Sequence, residues 1–418
     1  MKITHLAHSN KAGGAANFTS RVIDSLSSVG IDNELVASSV KTETNRVHVI
    51  SPDGSKTLNF LRAKSCQTLD RKLRLLEKTD QYTYKSPNLI GALRAQDLNN
   101  LKTDLFNLHW INGGLISIRQ IGKIKKPIVW TMLDMWPFLG SENYLFESDP
   151  HRFIDGYTKN NRNPNDVGID LCRVTWNLKR KYFKNLNLIS PSNWLSCKAS
   201  SSLLFNNQKI EVIPPPIDSN KFSPVIKKIA RTRFEIDEHK FVIGYLGGLS
   251  GRKGWNLVNE LCTDPNLNQN WKFLLGGAPI EKYIEFKEVT RTAILAGKLE
   301  KPVDLNLFYS SIDVLIVPST AEAYGLVAQE AQACGVPVIA FSDTGTADVV
   351  QENVTGFIVK QRSAKGLLDS LIKLDSLDND QRNAISIDSR NRAINEWSYK
   401  VIGDKYLNFY SSVMDKSF

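Results

Sequence analysis

Short apolar and β-branched runs alternate with amphipathic segments along most of the chain. In the first half the runs are KITHLAHS (2–9), NELVASS (33–39), DLFNLHW (104–110), PIVWTM (127–132), NLISPS (187–192) and EVIPPP (211–216). In the second half they are KFVIGYLG (240–247), WKFLLGG (271–277), DVLIVPS (313–319), VPVIAF (336–341) and GFIV (356–359). Strands separated by helical segments predict parallel sheets covered by helices. After the first run, Phe18, Val22, Leu26 and Val29 recur at helical spacing, and Gly30 ends that helix. SAKGLLDSLIKL (363–374) is a second helix with a clear apolar face.

Pro214–Pro216, followed by IDSNKFSPV, closes the first set of strands, and a fresh strand begins near Lys240. The junction is therefore placed near residues 217–230, and a chain of 418 residues is long enough for two cores. The fold class is α/β, with two Rossmann-like domains in tandem. The expected division is 1–220, 221–395 and a terminal helical segment, 396–418, read from EWSYKVIGDKYLNFYSSV (396–413). Residues 137–175 form a polar, irregular connection of unusual length, which predicts a functional or mobile loop.

Composition adds little until charge is placed along the chain. With 42% hydrophobic and 23% charged residues the protein reads as globular. No signal peptide or spanning segment is visible, and the five cysteines lack CxxC pairing, so a reducing, cytoplasmic setting is expected. The net charge of +10 falls entirely in residues 1–220, which carry 29 Lys+Arg against 19 Asp+Glu. Basic runs there are DRKLRLLEK (70–78), IGKIKKP (121–127) and NLKRKYFK (177–184). They read either as solvated helix faces or as attraction to an anionic partner, with an acidic membrane surface ahead of nucleic acid.

Ligands of open parallel sheets sit at the carboxyl ends of the strands. AEAYGLVAQEAQACGVPVIA (321–340) lies at such a place and carries two carboxylates, Glu322 and Glu330, in an otherwise apolar segment. A helix beginning near Gly325 would leave backbone N–H groups around Tyr324, Gly325 and Leu326 free to seat phosphate. The carboxylates suit hydroxyl groups, of which sugars carry many. In YLGGLSGRKGW (245–255), Gly248 and its neighbours would let backbone approach a ligand, and Arg252 or Lys253 would neutralise a diphosphate. Gly13 and Gly14 open the first helix without a dinucleotide fingerprint, and read either as turn glycines or as a place of close ligand approach. His109 and Asp134 follow first-domain strands; each is a structural residue or a polar group of a binding pocket. No metal-ligand cluster or nucleophilic triad stands out.

These stretches together resemble the retaining GT-B glycosyltransferases of family 4. Glu322-x7-Glu330 followed by SDTGTADVVQENVTGFIV (342–359) carries the resemblance most strongly, with ISPSNWL…IEVIPPPIDSNKF (189–222), GGLSGRKGW and the GGAA turn beside it. HWINGG and WTMLDMWPF narrow it to enzymes of bacterial exopolysaccharide and O-antigen assembly, of the colanic-acid type. The resemblance implies two domains facing a cleft, with the last helix crossing back onto the first. It implies that Glu322, Lys253 and Asp134 serve catalysis, and that Glu330, Gly325, Leu326, Tyr324, Arg252 and Gly248 bind the donor. Gly13, Gly14 and His109 would lie on the acceptor side.

The implied reaction is hexose transfer with retention from a nucleotide-diphosphate sugar to a lipid-linked glycan. It would run without metal or cofactor, at the inner face of the membrane. This sequence departs from the family twice: Gly248 stands where an Arg is usual, and Leu133 where a His is usual. A non-catalytic nucleotide-sugar-binding subunit and a nucleotide-sugar epimerase remain alternatives.

Overall fold

The computed structural model describes residues 1–9, 13–39, 47–48, 56–79, 84–145 and 152–416. Two compact units emerge, Met1–Pro216 with Ile402–Phe418, and Ile217–Val401. The first holds a seven-stranded sheet of β1 (Lys2–Ser9), β2 (Asp32–Ser39), β3 (Val47–His48), β4 (Leu105–Leu108), β5 (Ile128–Thr131), β6 (Leu186–Ser190) and β7 (Ile210–Val212). Its order is β3-β2-β1-β4-β5-β6-β7, with every pairing parallel. The second holds β8 (Phe241–Leu246), β9 (Trp271–Gly276), β10 (Ala293–Gly297), β11 (Val314–Val317), β12 (Val338–Phe341) and β13 (Gly356–Val359), ordered β10-β9-β8-β11-β12-β13 and also parallel.

The helices used below are α1 (Gly14–Ser28), α2 (Leu171–Tyr182), α3 (Trp255–Cys262), α4 (Pro302–Ser311), α5 (Leu326–Ala333), α6 (Ala364–Asp375), α7 (Asn379–Trp397) and α8 (Tyr399–Asp415). In β8, Phe241, Ile243 and Tyr245 join the core formed with α3 and α6, whereas Val242 joins the core formed with α4 and α5. Successive side chains of a strand point to opposite faces, so covering both faces demands an almost wholly apolar strand.

The helix expected over 396–413 is interrupted. Ser398 is extended, and α7 ends at Trp397 before α8 begins at Tyr399. The break has a partner: the Ile217 N–H donates to the Trp397 carbonyl at 2.8 Å, tying the second unit's first residue to its last helix. Beyond it, α8 packs in the first unit. A Cβ at Gly403 would come 2.7 Å from the Ser25 carbonyl, so glycine lets α8 lie close on α1. The Tyr410 hydroxyl receives a hydrogen bond from Asn107 Nδ2 at 2.6 Å.

The long connection at 137–175 is not a loose loop where it is described. Residues 137–143 are buried throughout, Val167–Gly168 pairs antiparallel with Glu77–Lys78, and Arg152 meets Asp170 at 2.6 Å. Polar composition was misleading here because Glu142, Arg152 and Asp170 are buried and partnered. Residues 146–151 lie outside the described residues.

Two histidines meet in the first unit's sheet. His5 on β1 and His109 after β4 are both buried, with Nδ1 of the first 2.9 Å from Nε2 of the second. Burial pushes His5 down to about 3; burial and then the neighbouring His5 push His109 well below the usual histidine range. Both are therefore neutral when folded, while the unfolded chain takes up protons near pH 6.5. The unfolded state then binds more protons, so stability falls as pH drops from 6.5, by about 1.4 kcal/mol per pH unit for each such group. Urea unfolding of the first unit at a series of pH values should show this slope, and a His5→Asn/His109→Asn variant should flatten it.

Candidate functional site

Strand order reverses once in each sheet, between β8 and β11 in the second unit and between β1 and β4 in the first. Such reversals open a crevice at the carboxyl ends of the strands. Glu322, Arg252 and Lys253 lie on the loops leaving β11 and β8 at that point.

Three loops of the second unit interlock there. Gly254 has φ 71°, and a Cβ on it would come 2.0 Å from the Pro318 carbonyl oxygen. The Thr320 N–H donates to the Arg252 carbonyl at 2.8 Å, joining the same two loops. The loop after β12 closes the ring: Gly345 N–H donates to the Glu322 carbonyl at 2.8 Å, and a Cβ on Gly345 would lie 2.1 Å from the Ala323 oxygen. Only glycine allows these backbones so near.

The interlock puts the Lys253 ammonium in direct contact with Glu322 Oε2, and Arg252 Nη1 3.7 Å from the same oxygen. Arg252 Nη1 also donates to the Ala321 carbonyl at 2.8 Å. Burial by itself would raise the Glu322 pKa. The charges of Lys253 and Arg252, with hydrogen bonds from Lys253 and Ser319, outweigh it and hold the carboxyl below its ordinary value. Glu322 is thus ionised at neutral pH, with two cations gathered on it.

Next in sequence is the start of α5. Gly325 is its N-cap at φ 98°, with no side-chain cap and no acid in the first turn. That leaves the partial positive charge of the helix start unopposed by its own side chains. One turn on, Glu330 is buried, and its Oε2 accepts the Tyr309 hydroxyl proton at 2.8 Å. Tyr309, on α4, was missed by sequence reasoning. The available signal was a tyrosine in an apolar stretch, since a buried Tyr hydroxyl requires a partner. Tyr324, whose backbone N–H is the group expected at the donor site, places its side chain in the core with Val317, Val349 and Trp397. Gly248 is exposed, and a Cβ there would meet nothing within 4 Å.

The first unit carries the other expected residues. Gly13 (φ 100°) is the N-cap of α1, and it and Gly14 are exposed at an uncapped helix start following β1. His109 and Asp134 come together with Leu133 around a recess of about 10 Å³, roughly the volume that admits one water. The Asp134 carboxylate is fully engaged: Oδ1 accepts from the Trp136 N–H at 3.0 Å, and Oδ2 accepts from Trp110 Nε1 at 3.1 Å and from Asn143. Burial raises its pKa, against those three hydrogen bonds and the charge of Lys179.

Lys179 belongs to a run read above as solvated or anion-seeking, and it is neither. It is buried, donates to the carbonyls of Trp136, Leu139 and Gly140, and sits 3.6 Å from the Trp136 ring centroid. Burial pushes its ammonium well below the usual lysine range, against the pull of Glu142 and Asp134. The helical stripe Leu171, Cys172, Thr175, Trp176 and Lys179 was the missed signal.

Residues 226–392 match the family described as Glycosyl transferases group 1. The D-inositol 3-phosphate glycosyltransferase of Geodermatophilus obscurus is 33% identical over 165 residues, covering 36% of this chain and 37% of that protein. The capsular polysaccharide biosynthesis glycosyltransferase CapM of Staphylococcus aureus is 28% identical over 242 residues, covering 55% of this chain and 63% of CapM. The chain thus spans less than two thirds of either relative. Anabaena Alr3699/HepE, solved in complex with UDP, superposes with a TM-score of 0.62 at 18% identity, over 99% of this chain and 100% of that one. This likeness shows the GT-B fold expected from the sequence.

Two substitutions test the construction of the site. Gly254→Ala should destabilise the second unit by more than about 1–3 kcal/mol, because φ and the Pro318 contact both oppose it. Tyr309→Phe should lower stability by about 0.5–1.5 kcal/mol, the net contribution of an intramolecular hydrogen bond. Guanidinium unfolding of each variant measures both.

Proposed function

We propose that the chain is a hexosyltransferase using a nucleotide-diphosphate sugar, acting with retention and without a metal. The acceptor in this reading is a lipid-linked or oligosaccharide glycan of bacterial surface polysaccharide. One observation carries it: Lys253, Arg252, Glu322 and the uncapped start of α5 converge at the strand reversal of the second unit, with Glu330 one turn along the same helix. The group 1 match over that unit supports the reading, as does CapM, named for capsular polysaccharide biosynthesis. The Anabaena protein has also been solved with UDP-glucose.

In this reading the donor diphosphate lies against Lys253, Arg252 and the amides of Gly325 and Leu326. These stabilise the charge that develops as the sugar–phosphate bond breaks. Glu322 accepts hydrogen bonds from hexose hydroxyls, and Glu330, steadied by Tyr309, from the ribose. A diphosphate oxygen takes the acceptor proton on the face that the leaving group vacates, which retains the anomeric configuration. Asp134 is better suited to hold the Trp110–Asn143 region in shape than to abstract a proton, since both its oxygens are occupied. Gly13 and Gly14 remain the acceptor-side candidates; His109, enclosed and neutral, acts through packing. A lipid-linked acceptor would place the protein on the inner membrane face, and among the described residues no helix is long and apolar enough to cross a membrane.

A second reading, a nucleotide-sugar-binding subunit without turnover, is favoured by Leu133 and Gly248. Neither position offers a hydrogen-bonding side chain, and the buried His109 does not fill the gap. The test is a panel of nucleotide sugars assayed for binding and nucleotide release, with and without lipid-linked acceptor. Transfer predicts one preferred donor, release on adding acceptor, and binding weakened at least about tenfold in Glu330→Ala. Binding without release under every acceptor favours the subunit reading, and donor interconversion without acceptor favours an epimerase. No binding by any donor contradicts the assignment of both glutamates.

A further inference from the structure

The first unit carries a second concave feature at the other end of its sheet from Gly13 and Asp134. Two depressions of about 770 and 780 Å³ lie where β5, β6 and β7 begin and where α8 passes them. Both are lined by Asn185, Leu186, Asn187, Val413 and Lys416, so they form one continuous trough. Each half is of ordinary ligand-pocket size, and together they suit an extended chain better than a compact molecule.

The lining is strongly cationic. Lys125 and Lys126 come from one basic run of the sequence, Lys181 and Lys184 from another, while α8 adds Lys405 and the residue after its end, Lys416. Glu211 is the one acid that lines it among the described residues, and it pairs with Lys209 at 3.8 Å. Lys126 is spent on the carbonyls of Leu101 and Thr103. Lys125, Lys181, Lys184, Lys405 and Lys416 are exposed and have no carboxylate partner among the described residues.

Between the lysines stand four amides, Asn185, Asn187, Gln208 and Asn408, each able to donate and accept. That mixture fits a ligand carrying both anionic groups and many hydroxyls. A membrane surface would favour exposed apolar side chains, whereas Leu186, Ile213 and Val413 here are buried. Nucleic acid would favour open aromatic faces, whereas Tyr182 and Phe409 are half-buried.

We propose that this trough binds a linear acidic polysaccharide, holding a glycan chain on the first unit away from the strand ends that carry Gly13 and Asp134. The choice of a glycan among polyanions rests partly on the transferase reading; the anion site itself does not. The test is titration of the full chain with oligoguluronate, a linear polyuronate, beside dextran oligosaccharide, oligo(dT) and phosphatidylglycerol-containing vesicles. Saturable oligoguluronate binding is expected, absent for dextran and weakened by added salt. Lys181→Glu/Lys405→Glu should reduce it at least about tenfold while leaving nucleotide-sugar binding unchanged. No oligoguluronate binding, or binding that the variant does not alter, overturns the proposal. Tighter binding to vesicles or to oligo(dT) overturns it in favour of a membrane or nucleic-acid surface. Absence of nucleotide-sugar binding by the unsubstituted chain, with oligoguluronate still bound, would count against the transferase reading alone.

Discussion

The second unit's site depends on backbone approaching backbone without a side chain between. Gly254 against Pro318 and Gly345 against Ala323 bring three loops within hydrogen-bonding distance. The ionic contact follows from that. Arg252 and Lys253 reach Glu322 because their loop is held to the loop carrying it by the Thr320–Arg252 bond, rather than by attraction across open solvent. Exposed ion pairs contribute little on their own, and a preorganised cluster of charges acquires chemical value when its geometry is fixed beforehand.

The first unit solves a related problem with a buried charge. The turn that carries Leu133 and Asp134 exposes several carbonyls to the interior, and Lys179 answers three of them from α2. A buried ammonium is expensive unless every donor is used, and here all three protons have acceptors and an aromatic face lies beneath. His5 and His109 form another buried polar pair, held neutral. Lys179 and this pair both make the stability of this unit depend on pH.

Much of the architecture was legible because buried parallel strands are written as short apolar runs. AILAG, which forms β10, escaped although Ile294 and Leu295 are apolar, because it is a half-covered edge strand that directly follows the helix Lys287–Thr292. Glu322 and Glu330 were legible for the opposite reason, as carboxylates in a segment with no solvent-facing stripe to explain them. Tyr309 and Lys179 were not. Each is defined by a partner distant in sequence, Glu330 for one and the 136–140 turn for the other, and one-dimensional periodicity sees only that a polar atom lies on a buried stripe. The basic runs were legible as charge but not as place. Two of them converge on one trough only after the sheet has brought residues 125, 184 and 416 together.

The most direct test of the account is a crystal structure with an intact nucleotide sugar. The account predicts that Lys253 leaves Glu322 for a diphosphate oxygen, that hexose hydroxyls take its place on Glu322, and that the ribose reaches Glu330 while Tyr309 keeps its hold. A nucleotide bound elsewhere, or one bound here with the Lys253–Glu322 contact intact, would contradict it.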